Sequence, residues 1–459
     1  MKKHRNITLL LLCLILFIQS PKAEKYCFRV YLNNKGITEK HNEPPYSFLS
    51  PDAIERRRRQ NIPLDTSDIP IAHSSLNALT SIGAKILTSS KWLSTVVVES
   101  NDSLIVRKIS NLNIVDSVKL VHRGDRSSLP DCPQNTDTLK PATSAIAGSL
   151  YGYARRQIEM MNGIHLHENG YKGQGMKVAV IDAGFKNVNR ISAFASLKIA
   201  GVSNIVCSEE SVFTTDPHGT KVLSCLAANL PGIIVGTAPE ASYWLIKSED
   251  TRSEYPIEED YLVAALEYAD SAGVNVITSS LGYYKFDDET LNYPKNTLDG
   301  QTAFITKAVN AAADKGILLI ISAGNEAGEP WQNITFPADA KNILTIGAIT
   351  ENHERSTFSS YGLTADNRIK PDLVALGTNS TVITDNGDIA FASGTSFATP
   401  IIAGLAVCLW QALPQLTNIE IINLIRKTAS NFPLQDKELG YGIPDFHKAL
   451  KHQQNEHQQ

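Results

Sequence analysis

Lys177-Val178-Ala179-Val180-Ile181-Asp182 is a short, unbroken apolar run that ends on a carboxylate. Runs of the same kind recur at Ser242–Lys247, Val274–Ser279, Ile317–Ser322 and Ile343–Ala348. Helical stretches lie between them. In Tyr261–Ala272 the residues Leu262, Ala265, Leu266 and Ala269 share one face, and Thr302–Lys315 is a second such stretch. Short strands that are apolar on both faces, alternating with helices, predict an α/β fold with a mostly parallel sheet and helices on both sides. Ligands bind beyond the carboxyl ends of such strands. Asp182 is therefore placed where chemistry is expected.

Upstream the pattern is different. Tyr26–Leu32 reads as a strand, and Pro51–Arg59 as a helix with Ser50 as N-cap and Pro51 in its first turn. Leu76, Leu79 and Ile82 mark a helical face. Ala84–Leu87 and Trp92–Glu99 read as strands, Ile105, Ile109 and Leu112 as a helix capped by Asn101 or Asp102, and Val115–Val121 as a closing strand. Helix-strand-strand-helix-strand predicts a small ferredoxin-like α+β unit over 24–121. From His122 to about residue 150 the chain is rich in Ser, Thr, Pro, Asp and Gly and lacks periodicity, which predicts an exposed linker open to proteolysis. A larger unit then occupies 151–459. A length of 459 residues exceeds one ordinary domain and agrees with this division.

The amino terminus carries Lys2, Lys3 and Arg5, then an apolar run from Ile7 to Ile18, then a short polar stretch ending at Ala23. That layout predicts a signal peptide over 1–23, cleaved after Ala23, and a secreted, periplasmic or cell-envelope protein. The run is shorter than the ~20 residues a bilayer span needs, and no later segment is expected to be apolar enough to span a membrane. A net charge of −4 gives no reason to expect nucleic acid as a partner. Outside the signal segment stand Cys27, Cys132, Cys207, Cys225 and Cys408, an odd number that cannot all pair within one chain. Cys207–Cys225 is the first pair to test, and buried thiols are the alternative. No CxxC or Cys/His cluster marks zinc, and no metal ligand is assigned.

Four segments carry the chemistry. Val178-Ala179-Val180-Ile181-Asp182-Ala183-Gly184 presents a carboxylate able to hold an imidazole in one tautomer. His218-Gly219-Thr220 opens a helical stretch, and a neutral His218 is the candidate general base. Ser393-Gly394-Thr395-Ser396-Phe397-Ala398-Thr399-Pro400 places Ser396 at a helix N-terminus, where backbone amides favour developing negative charge, with Pro400 near the first turn. Ser322-Ala323-Gly324-Asn325 follows a strand, and the Asn325 amide is the candidate donor to an oxyanion. Taken singly, Asp182 reads as a turn cap, His218 as a structural histidine and Asn325 as a turn residue. Together they do not.

These segments, in the order Asp, His, Asn, Ser, resemble the subtilisin-like serine proteases, or subtilases. The similarity runs from about Tyr151 to Leu450 and takes in Gly236-Thr237-Ala238-Pro239, Phe358-Ser359-Ser360-Tyr361-Gly362 and Lys370-Pro371-Asp372. Ser280-Leu281-Gly282 resembles the edge on which the family binds substrate backbone as an added strand. The resemblance implies a secreted serine endopeptidase with Asp182, His218 and Ser396 as triad, protein or peptide substrates, and residues 24–121 as an inhibitory pro-region cut away within 122–150. It implies no cofactor other than calcium, for which no acidic loop assigns ligands. The rival function is a catalytically inactive peptide-binding protein on the same fold. Two positions depart from the family pattern: Lys221 stands where a second histidine is common, and Tyr283 where a glycine is common. The four arginines 56–59 are expected on a solvated helix face. Arg123-Gly124-Asp125 and the sequons at Asn101, Asn333 and Asn379 carry little weight.

Overall fold

The computed structural model describes residues 24–36, 44–124 and 138–456. The predicted signal segment and residues 125–137 of the expected linker, Cys132 among them, lie outside the described residues. In the amino-terminal unit, β1 (Lys25–Leu32), β2 (Lys85–Ser90), β3 (Thr95–Ser100) and β4 (Val115–Gly124) form one sheet. Its order is β2-β3-β1-β4 and its pairs are antiparallel, the ferredoxin-like arrangement. Helix α1 (Pro51–Arg59) begins as expected, with the Ser50 hydroxyl accepting from the Ala53 N–H at 3.2 Å. Helices α2 (His73–Ser81) and α3 (Ile105–Ser110) supply Leu79, Ile105 and Ile109 to a core shared with Phe28, Val30, Val96 and Val98.

The linker begins later than its composition suggests. His122, Arg123 and Gly124 continue β4, and His122 is buried with its ring 4.8 Å from that of Tyr255. The arginine run also divides. Arg58 and Arg59 are exposed, but Arg56 and Arg57 are buried against the second unit.

That second unit is built on seven parallel strands: β5 (Lys177–Asp182), β6 (Lys198–Asn204), β7 (Ser242–Lys247), β8 (Val276–Ser279), β9 (Leu318–Ser322), β10 (Leu344–Ile349) and β11 (Leu373–Leu376). Their order is β11-β10-β9-β8-β5-β7-β6. Side chains alternate across the sheet. Val178, Val180, Leu318 and Ile320 enter one core with helices α4 (His218–Ala227) and α7 (Thr395–Ala412). Ala179, Ile181, Leu319 and Ile321 enter the opposite core with α5 (Ile257–Ala272) and α6 (Phe304–Asp314). Contrary to the sequence expectation, α7 is long and apolar enough to cross a membrane. Its side chains are buried as the central helix of the core instead.

The ferredoxin-like unit lies on the outer side of α5 and α6, with Tyr31, Trp92 and Leu93 packed against that core. The chain order of the sheet turns back at β5. From β5 the chain goes out to β6, returns through β7, and then builds outward on the other side from β8. The crevice beyond the carboxyl ends of β5 and β8 is thus a topological switch point, where open α/β sheets bind ligands.

Candidate active site

Each singled-out residue sits at or just past the carboxyl end of a strand, or at the start of a helix facing those ends. Asp182 is the last residue of β5 and is fully buried. Its Oδ1 accepts from the Ala183 N–H at 2.8 Å and contacts His218 Nδ1 at 2.7 Å. His218 is the first residue of α4, and its backbone N–H donates to Asp216 Oδ1 at 2.7 Å. The close approach depends on Gly219. A Cβ there would lie 2.4 Å from the Gly184 carbonyl oxygen and 2.9 Å from Asp182 Cβ, so any side chain would push the histidine from the carboxylate. The Asp182 charge is the largest influence on His218 and raises its pKa above the ordinary value, against the opposing effect of burial.

Ser396 is the second residue of α7, among the N–H groups that have no partner within the helix. Pro400 lies in the second turn of α7, deeper than the sequence suggests. It has no N–H to give to the Ser396 carbonyl four residues back. That carbonyl accepts instead from the Ser280 hydroxyl at 3.0 Å. The helix start is thereby tied to the loop after β8. The His218 ring lies 6.0 Å from that of Phe397, the residue after Ser396. No hydrogen bond joins His218 to Ser396 in this state, and such catalytic bonds are often open before substrate arrives.

Asn325 follows β9 through Gly324, whose φ of +103° is a conformation that side chains rarely adopt. Asn325 Oδ1 accepts from the Thr395 N–H at 2.9 Å and the Thr395 hydroxyl at 3.1 Å. Two donors on Oδ1 fix which end of the amide is which. The NH₂ group of this exposed residue is left to donate.

Ser280, Leu281 and Gly282 line a cleft of about 610 Å³ that also takes in His218. Ser280 points inward, Leu281 is half-buried and Gly282 is exposed. Tyr283 does not continue this edge. Its backbone pairs with Phe336, at 2.8 and 3.0 Å, and its buried ring directs the hydroxyl to Glu249. Tyr283 is thus turned into the core, where it supports Glu249, and is not part of the cleft lining.

The cleft is also lined by Glu249, Glu254 and Glu258, which sequence reasoning missed. They come from just past a strand, a loop and a helix start, so no contiguous motif announces them. The only signal was the density of acidic residues between 249 and 260. Cys207 and Cys225 are not joined: each carries its own thiol, and burial pushes that of Cys225 up to about 12.

Residues 173–442 match the model of the subtilase family, and residues 27–134 match that of a peptidase S8 propeptide domain of Bacteroidota. Subtilisin BL of Lederbergia lenta is 32% identical over 266 residues, 58% of this chain and 87% of that protein. An alkaline protease of Alkalihalobacillus alcalophilus is 29% identical over 345 residues, 73% of this chain and 82% of that protein. The crystal structure of the epidermin leader peptide processing serine protease of Staphylococcus aureus superposes with a TM-score of 0.63 at 16% identity. It covers 93% of this chain and 99% of that one, a likeness of fold.

Proposed function

The chain belongs to the subtilase family and is a serine endopeptidase with an N-terminal pro-region, and from that premise we propose that Asp182, His218 and Ser396 are its catalytic triad. The observation that carries this reading is the convergence of the Asp182–His218 pair, the α7 N-terminus and the docked Asn325 amide at one switch point of the sheet. Substrate lies extended along Ser280–Gly282. Ser396 Oγ attacks the scissile carbonyl while His218 takes its proton, and Asp182 steadies the imidazolium. The Asn325 NH₂ and the Ser396 N–H hold the oxyanion. His218 returns the proton to the leaving amine, and water then hydrolyses the acyl-enzyme by the same path.

The protein is exported by its signal segment. The ferredoxin-like unit blocks the cleft until cleavage within 122–150 releases it. Every proton in these steps passes through His218, and none draws on a cofactor. Among the described residues no group of three or more His, Cys, Asp or Glu side chains is placed to hold a metal ion.

Labelling with a fluorophosphonate probe tests the assignment, with Ser396→Ala as control. Label on the wild type and none on the variant is expected. No label on either, with the pro-region gone, would favour an inactive peptide-binding protein.

A further inference from the structure

Among the described residues, the cleft beside His218 has an acidic wall without a matching counter-charge. Glu249 stands two residues past the end of β7, Glu254 in the following loop, and Glu258 in the first turn of α5. Asp287 closes the rim beyond Tyr283. Among the described residues no ion pair reaches any of these four. Arg252 is the one arginine or lysine among the described residues of the lining, and Asp250 holds it in a fork at 2.6 and 2.6 Å. Lys247, buried nearby, favours the ionised form of Glu249 without bonding to it.

The hydrogen bonds of the wall are incomplete. Glu249 accepts from the Tyr283 hydroxyl, Glu258 Oε1 from the Asp250 N–H at 2.9 Å, and Asp287 Oδ2 from the Glu254 N–H at 3.1 Å. Glu258 is 1% exposed, yet its Oε2 has no hydrogen-bond partner. A buried carboxylate oxygen left bare in a cleft wall is costly, and such groups in folded proteins are normally satisfied. Burial first, and then the charges of their neighbours, push Glu249 up to about 8 and Glu254 to about 7, and hold Glu258 well above the usual carboxylate range. The group that would complete this wall carries positive charge and several N–H donors, as a lysine ammonium or arginine guanidinium does. The chain itself supplies a precedent at the rim. Arg123, near the end of β4, reaches Asp288 at 3.1 Å, one residue from Asp287.

We propose that Glu249, Glu254 and Glu258 form a specificity pocket for a lysine or arginine side chain of the peptide lying along Ser280–Gly282. This rests on the peptidase reading above and names the substrate class it serves. Basic substrates are selected because the wall is paired only when they are bound, and an uncharged side chain leaves the Glu258 oxygen bare.

The test uses the full chain, allowed to shed its pro-region and titrated with fluorophosphonate to count active sites. A positional-scanning library of fluorogenic peptides is then compared for lysine or arginine against norleucine, an uncharged side chain of similar length. A preference of roughly tenfold or more in kcat/KM at one position is expected, falling toward unity in Glu254→Gln and Glu258→Gln. The ratio of two substrates within one preparation cancels the fraction folded, so an unstable variant still answers. Labelled enzyme with no basic preference, or with a preference that both variants retain, would overturn the pocket. Absence of label would sink the peptidase reading, and the pocket with it.

Discussion

At the scale of single residues, the proposed chemistry turns on the charge state of His218. Only the neutral imidazole accepts the Ser396 proton. The Asp182 charge favours the protonated form, so His218 stays charged to a higher pH than a free histidine. Activity is therefore lost as pH falls through a value above ~6.5, the unperturbed histidine pKa. A profile of kcat/KM against pH should place its acid limb there. Asp182→Asn removes the largest raising influence, so the limb should shift to lower pH while the rate falls by ~10⁴, the loss known for that change in another triad enzyme. An acid limb unmoved by the substitution would assign it to another group. Asn325→Ala should lower kcat with little change in KM, because the amide meets the oxyanion only in the transition state. The expected loss is ~10²–10³, the size known for the equivalent donor of subtilisin itself.

At the scale of elements, the start of α7 is held by a substitution of partners. Pro400 leaves the Ser396 carbonyl without its helical donor, and Ser280 supplies one from the loop after β8. Ser280→Ala should cost about 1 kcal/mol or somewhat more, for a buried carbonyl left bare. In a Pro400→Ala background the restored N–H can reach the same oxygen, so the cost of Ser280→Ala should shrink. A double-mutant cycle by urea unfolding measures the coupling, and additive costs would mean that the two donors do not compete. Elements like these were legible to different degrees. The central strands stood out because burial on both faces makes them continuous apolar runs. The edge strand β6 did not, since Ile199 and Val202, its only large apolar residues, are exposed and separated by Ala200 and Gly201. The start of α5 was read late, at Tyr261, because Glu258, Glu259 and Asp260 look solvated though they are buried. The candidate triad was legible because each member lies inside its own contiguous motif. The acidic wall was not, because only folding brings its three segments together.

At the scale of the whole molecule, α5 faces two opposed demands. Its inner face packs on the sheet, and its outer face is covered by the pro-region in the full chain but would meet water on the proposed release of that unit. An apolar outer face would serve the first state and fail in the second, as a large exposed apolar patch. The chain uses carboxylates on α5 instead and answers them with cations and amides from the pro-region. Arg29 grips Asp260 at 2.7 and 2.6 Å, and the Lys91 and Trp92 N–H groups donate to Glu267 at 3.1 and 3.0 Å. Asp270 receives both Arg56 and Arg57. Arg56 also donates to the Val274 and Lys315 carbonyls, at 2.6 and 3.1 Å, just past the C-termini of α5 and α6, where helix dipoles favour a cation. This explains why two arginines of a four-arginine run are buried. Asp270→Ala removes the carboxylate they share, and an uncompensated buried charge costs ~3–5 kcal/mol. In the full-length chain carrying Ser396→Ala, which cannot cut itself, the stability of the pro-region against urea should drop by that amount. Arg58→Ala on the same helix breaks only an exposed pair with Glu55 and should cost no more than ~1 kcal/mol. Equal effects of the two substitutions would show that the pro-region is held by its apolar contacts, with the buried ion pairs adding nothing to its docking.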